Sequence, residues 1–98
     1  MTEFDYKQLD DLIHSRVRLA IMAVLMSVDE AHFTFLRDKV NATDGNLSAN
    51  LSKLEEAGYI SAIKSFVKRR PVSSYRVTKK GRRMFKKYLE HLENILGM

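Results

Sequence analysis

Between Phe35 and Gly58 the chain reads as two helical periods separated by only a few residues, and this constrains the fold more than any other feature. Leu36 and Val40 lie one turn apart on the first period. On the second, Leu47, Leu51 and Leu54 fall within about 60° of one another at 100° per residue, which makes them a single inward stripe. Thr34 is placed to cap a short helix over Phe35 to Val40, and Thr43 to cap a helix over residues 44–57, with Asp44 favourable in its first turn. Gly58 suits the left-handed position that closes it. A link as short as Asn41 to Thr43 forces the second helix to cross the first, as in a helix-turn-helix.

The flanking segments supply what such a pair needs for a core. Ser15 can cap a helix from Arg16 to Ser27. Val17, Ile21, Val24 and Leu25 form one stripe on it and Leu19, Met22 and Met26 another, so it is predicted to be central and buried. Leu9, Leu12 and Ile13 fit one face of a short N-terminal helix. Tyr59 to Val67 and Ser73 to Thr78 are rich in β-formers and are joined by KRRPV, residues 68–72, which predicts a hairpin with a basic tip. Pro71 cannot donate to a ladder and belongs at the tip or an edge. Thr78 caps a last helix from Lys79 to about Leu96, with Phe85, Leu89, Leu92 and Leu96 on one stripe and Tyr88 and Ile95 beside them. The expected architecture is α+β and mostly α, in one domain. It comprises an N-terminal helix (1–14), a three-helix core with a two-stranded β wing (15–78) and a C-terminal helix (79–98).

Charge is distributed unevenly. From Ala57 to Leu89 there are eleven Lys or Arg and no Asp or Glu, whereas the first fifteen residues carry four acids against one lysine. One-sided positive charge suits a polyanion, because neutralising phosphates releases condensed counterions. Without cysteine, neither a disulfide framework nor a thiolate metal site is available. His14, His32 and His91 are too scattered for a ligand set, so no metal and no cofactor is expected. No Gly-rich phosphate loop and no nucleophile with an evident base is present, which argues against an enzyme and leaves no catalytic residue to name. The acidic start lacks the pattern of a secretory signal. The longest apolar stretch, Leu19 to Met26, is far short of a membrane span, so a soluble cytoplasmic protein is expected.

The outward arc of the 44–57 helix holds small or amide-bearing residues near its start and charge only towards its end. Asn46 and Asn50 have the donor and acceptor to pair with adenine, and Ser48 can reach base or phosphate. Gly45 and Ala49 allow close backbone approach, while Thr43 and the helix-start amides can meet a phosphate. Lys53 on the helix, with Lys68, Arg69 and Arg70 on the wing, supplies phosphate contacts. On the last helix and the N-terminal one, the uncovered stripe Phe85, Tyr88, Leu89, Leu92, Ile95 and Leu96, assisted by Leu9, Leu12 and Ile13, is expected to form a dimer interface.

The strings FTFLRDKVNATDGNLSANLSKLEEAGYI and FVKRRPVSSYRVTKKGRRMF, in that order, resemble the small winged helix-turn-helix transcriptional regulators related to the MarR and ArsR families, over residues from about 15 to 96. The resemblance implies a homodimer on double-stranded DNA, with the 44–57 helix in the major groove of a near-palindromic operator and the hairpin as its wing. An architectural nucleic-acid binder, or a protein-interaction module on the same fold, is the alternative.

Overall fold

The computed structural model describes residues 6–97. After a single 3₁₀ turn at Tyr6–Gln8, the elements run α1 (Arg16–Ser27), β1 (Ala31–His32), α2 (Phe33–Val40), α3 (Asp44–Glu56), β2 (Ile60–Val67), β3 (Arg70–Val77) and α4 (Lys79–Leu96). Three helix starts are fixed by the hydroxyls expected to fix them. Ser15 accepts from the Arg18 N–H, Thr43 from that of Asn46 and Thr78 from that of Gly81. Asn41, in the left-handed region at φ 59°, ends α2, and Gly58, at φ 80°, follows α3.

The core is built from all four helices and the base of the hairpin: Ile21, Met22 and Leu25 of α1, Leu36 of α2, Leu47, Leu51 and Leu54 of α3, Ile60 of β2, and Phe85 and Tyr88 of α4. As predicted for a central helix, α1 also sets Val17, Leu19, Val24 and Met26 against this cluster. At Gly81, α4 crosses the chain so closely that a Cβ there would stand 2.0 Å from the Tyr59 carbonyl oxygen. Lys80 next to it donates to the Ala57 carbonyl at 2.8 Å and lies over the Tyr59 ring, tying the start of α4 to the end of α3.

Three expectations are corrected. The N-terminal helix is replaced, within the described residues, by the 3₁₀ turn and a side-chain-directed turn in which Asp10 Oδ1 accepts from the Leu12 and Ile13 N–H groups at 2.8 and 3.2 Å; such local bonds compete with helix. The expected range 1–5 lies outside the described residues. The second helix starts at Phe33 rather than Phe35. Ala31 and His32 pair antiparallel with Tyr75 and Ser74, so the extended backbone at His32 occupies the cap position in place of Thr34. The same pairing turns the expected two-stranded wing into a three-stranded sheet of order β1-β3-β2.

In the hairpin, β2 and β3 pair over their full length, from Ile60↔Val77 to Val67↔Arg70. The loop is therefore just Lys68 and Arg69, both left-handed at φ 51° and 67°, the signature of a type I′ turn. Val67↔Arg70 flanks that turn as a hydrogen-bonded pair, so Phe66↔Pro71 is a non-bonded one. The Pro71 nitrogen then points away from β2, on a stretch of β3 that β1 does not reach. A proline is tolerated there without loss of a ladder bond.

Candidate nucleic-acid interface

Thr43 and the outer face of α3 carry seven of the candidate residues. Gly45, Asn46, Ser48, Ala49 and Lys53 are exposed, as is Thr43, whose hydroxyl is occupied as the helix cap at 3.2 Å from the Asn46 nitrogen. Nothing lies within 4 Å of where a Gly45 Cβ would stand. The protein's own packing therefore gives no reason for a glycine in the first turn of a helix, where it is a poorer helix former than alanine.

Asn50 departs from the expected pattern. It is only 9% exposed, and its amide is consumed internally. Its Oδ1 accepts from Arg18 Nη1 at 2.6 Å, and its Nδ2 donates to the Asn46 carbonyl and Asn46 Oδ1 at 2.8 and 2.7 Å. Arg18 in turn donates from Nε to the Leu12 carbonyl, so one guanidinium joins the N-terminal segment, α1 and α3. An amide with every group engaged below the surface has nothing left to offer a base, and Asn50 is removed from the contact set on that ground.

Two residues were missed. Arg18 is one; a cation between Val17 and Leu19 of a mostly apolar helix was the signal, since such a group must find acceptors. The other is Arg37 near the end of α2, which donates to Asp44 at 3.1 Å and to Asp38 at 3.4 Å. Its pKa stands above the ordinary arginine value, first because of the hydrogen bond to Asp44 and then that to Asp38. The pair staples α2 to the first turn of α3 and offsets the Asp44 carboxylate, which otherwise repels an anion at the helix start. Seven residues and a turn separate the partners, so no periodicity announces them.

At the other end of β2, about 26 Å away along an extended strand, Lys68, Arg69 and Arg70 stand exposed at the wing tip. Phe66 beside them is 76% exposed, so it takes no part in the core. A further exposed basic row, Lys79, Arg82, Arg83, Lys86 and Lys87, follows the outer side of α4.

The candidate dimer residues divide. Ile13, Phe85 and Tyr88 are 0, 7 and 2% exposed and serve the chain's own core, with Tyr88 hydrogen-bonded through its hydroxyl to His14 Nδ1 at 2.8 Å. Burial raises the Tyr88 pKa. These three are withdrawn from the interface because no surface remains on them to bury. Leu9 and Leu12 are half-buried against the same core, Leu12 beside the carbonyl that Arg18 holds. Leu92 and Ile95 are half-buried as well, whereas Leu89 and Leu96 are 39 and 62% exposed. Among the described residues no group of three or more metal-ligating side chains occurs, and no helix is long and apolar enough to cross a membrane.

A helix pair with its second member turned outward, followed by a basic hairpin, is also the arrangement captured by the family model described as a winged helix DNA-binding domain, which matches residues 17–96. The chain belongs to that family. It is 41% identical over 78 residues to an uncharacterized protein of Methanocaldococcus jannaschii, spanning 80% of this chain and 85% of that one. Its structure superposes with a TM-score of 0.82 on a transcriptional regulator homologue from Pyrococcus horikoshii, at 27% identity and with 88 and 85% of the two chains covered. A MarR-family regulator from Silicibacter pomeroyi shares the fold at a TM-score of 0.69 and 20% identity, with 92% of this chain matched to 60% of that one. The family is that of winged helix DNA-binding domains, and the Pyrococcus neighbour is a transcriptional regulator homologue.

Proposed function

We propose that this winged-helix protein is a sequence-specific regulator that binds double-stranded DNA as a homodimer. In this reading α3 enters the major groove, and Asn46, Ser48 and Ala49 face base edges. Gly45 lets the backbone close on the duplex, and Lys53, with Thr43 at its margin, meets the phosphates. Lys68, Arg69 and Arg70 engage the backbone or the minor groove from the wing. The observation that carries the reading is the outward face of α3: its leucines are all buried, and its first two turns expose only Asp44, already paired with Arg37, and small or amide-bearing side chains. A solvated helix face ordinarily carries charge there.

The dimer is built on α4, through Leu89, Leu96 and the open edges of Leu92 and Ile95, in a two-fold arrangement that presents both α3 helices to one side of a duplex. Successive major grooves recur about every 34 Å, so the operator is two-fold related. A cytoplasmic, DNA-associated location follows from this reading. Footprinting on fragments selected from the source genome tests it. A regulator protects a defined near-palindrome, whereas protection without a defined boundary or a repeated sequence rejects sequence-specific regulation.

A further inference from the structure

The hydrogen-bond chain behind α3 fixes which end of the Asn46 amide faces outward. Arg18 is a donor only, so the Asn50 atom 2.6 Å from its Nη1 has to be the carbonyl oxygen. A second constraint arrives at the same answer from the other side. The main-chain carbonyl of Asn46 only accepts, so the Asn50 atom 2.8 Å from it has to be Nδ2. The remaining N–H of that amide then points at the Asn46 side chain, 2.7 Å away, and requires an acceptor there, Asn46 Oδ1. Asn46 is itself exposed, and its Nδ2 has no partner among the described residues. Two N–H donors therefore face out of α3, while the oxygen that adenine N6 would need is turned inward.

We propose that Asn46 reads guanine, donating to the N7 and O6 acceptors of its major-groove edge, and that Asn50, held by Arg18 and by the Asn46 main-chain carbonyl, is the positioning residue that sets this preference. The inference rests on the reading that α3 enters the major groove. Adenine offers one acceptor beside one donor, cytosine a donor, and thymine a single acceptor beside its methyl, so guanine alone offers two adjacent acceptors to a side chain presenting donors alone. The Arg18 bond is charge-assisted, and its acceptor is buried, so the orientation is held against water. It also accounts for an arginine on α1 whose partners are two neutral carbonyls rather than a carboxylate.

The test is selection from a randomised duplex pool by the full chain and by its Asn46→Ala variant, an exposed change that leaves the apolar core and the bonds of Asn50 to Arg18 and to the main chain in place. The base pair whose preference disappears in the variant is the one Asn46 reads, and it is expected to be G·C. Replacing its guanine by 7-deazaguanine, which lacks the N7 acceptor, should weaken the unaltered protein by about fivefold to a hundredfold and leave Asn46→Ala unaffected. Asn50→Asp, which keeps the acceptor for Arg18 but has no donor for Asn46, should lose discrimination at that pair alone. An A·T pair, indifference to 7-deazaguanine, no pair losing its preference, or full discrimination in Asn50→Asp overturns the inference while an enriched two-fold site leaves the proposed function standing. Absence of any enriched duplex rejects both.

Discussion

Two glycines illustrate how differently the same residue is constrained in this chain. A Cβ at Gly81 meets the Tyr59 carbonyl at 2.0 Å, against main chain that cannot swing aside, whereas one at Gly45 meets open space. Gly81→Ala is expected to destabilise the fold by about 2 kcal/mol or more, as overpacking of a fixed contact does, read as a lower midpoint in urea unfolding. Gly45→Ala is expected to stabilise it by up to about 0.5 kcal/mol through helix propensity and yet to weaken duplex binding, because the added methyl stands where the groove wall must come. Greater stability with unchanged DNA affinity would remove Gly45 from the interface. At this scale the sequence was partly legible. Thr43, Thr78 and Ser15 were readable as caps because capping is a local event. Asn50 was not, because its fate depends on Arg18, 32 positions away. At 100° per residue Asn50 lies only about 40° from Leu54, on the border of the buried stripe, and a border position is decided by what reaches it.

Among the elements, the wing joins function to a local conformational cost. A two-residue type I′ loop favours Asn-Gly, because both residues need positive φ, but here the positions hold Lys68 and Arg69 at φ 51° and 67°. Left-handed backbone at such residues costs on the order of 1 kcal/mol each, and charge is what the two side chains bring in return. Replacing Lys68-Arg69 by Asn-Gly is expected to raise stability by about 1 kcal/mol and to weaken binding to all duplexes by similar factors, leaving sequence preference intact. Thermal unfolding and competition between cognate and scrambled duplexes measure the two effects. A loss of preference would mean that the wing reads sequence. Helices α1, α3 and α4 were legible to within a residue or so because apolar period and cap agree in each. Strand β1 was not, since two residues carry no alternation, and its pairing with Tyr75 and Ser74 is a long-range event that also moved the start of α2. The N-terminal segment misled because Leu9, Leu12 and Ile13 have helical spacing, while Asp10 spends its carboxylate on two backbone N–H groups and on the Tyr59 hydroxyl.

For the whole molecule, the proposed dimer rests on the exposed half of the α4 stripe. Leu89 and Leu96 are free to be changed without disturbing the core, whereas Leu92 packs on it. The Leu89→Glu, Leu96→Glu double variant is therefore expected to stay folded, to sediment as a monomer at micromolar concentration and to lose most of its affinity for a two-fold site while retaining weak binding to a half-site. An unaltered chain that is itself monomeric under those conditions would refute the dimer. The total charge of +5 conceals a segment from Ala57 to Leu89 with eleven cations and no acid, and within it the wing tip and the outer row of α4 stand exposed. Long-range electrostatics of this kind is legible in sequence because it needs only an order along the chain, whereas which cations meet phosphates depends on the dimer. The central claim, a surface built for duplex phosphates, is tested most directly by the salt dependence of duplex affinity. With roughly six to ten phosphate contacts per dimer, the association constant should fall by about a thousandfold or more between 50 and 200 mM salt, along a straight line in log–log form. A slope near zero over that range would contradict the account.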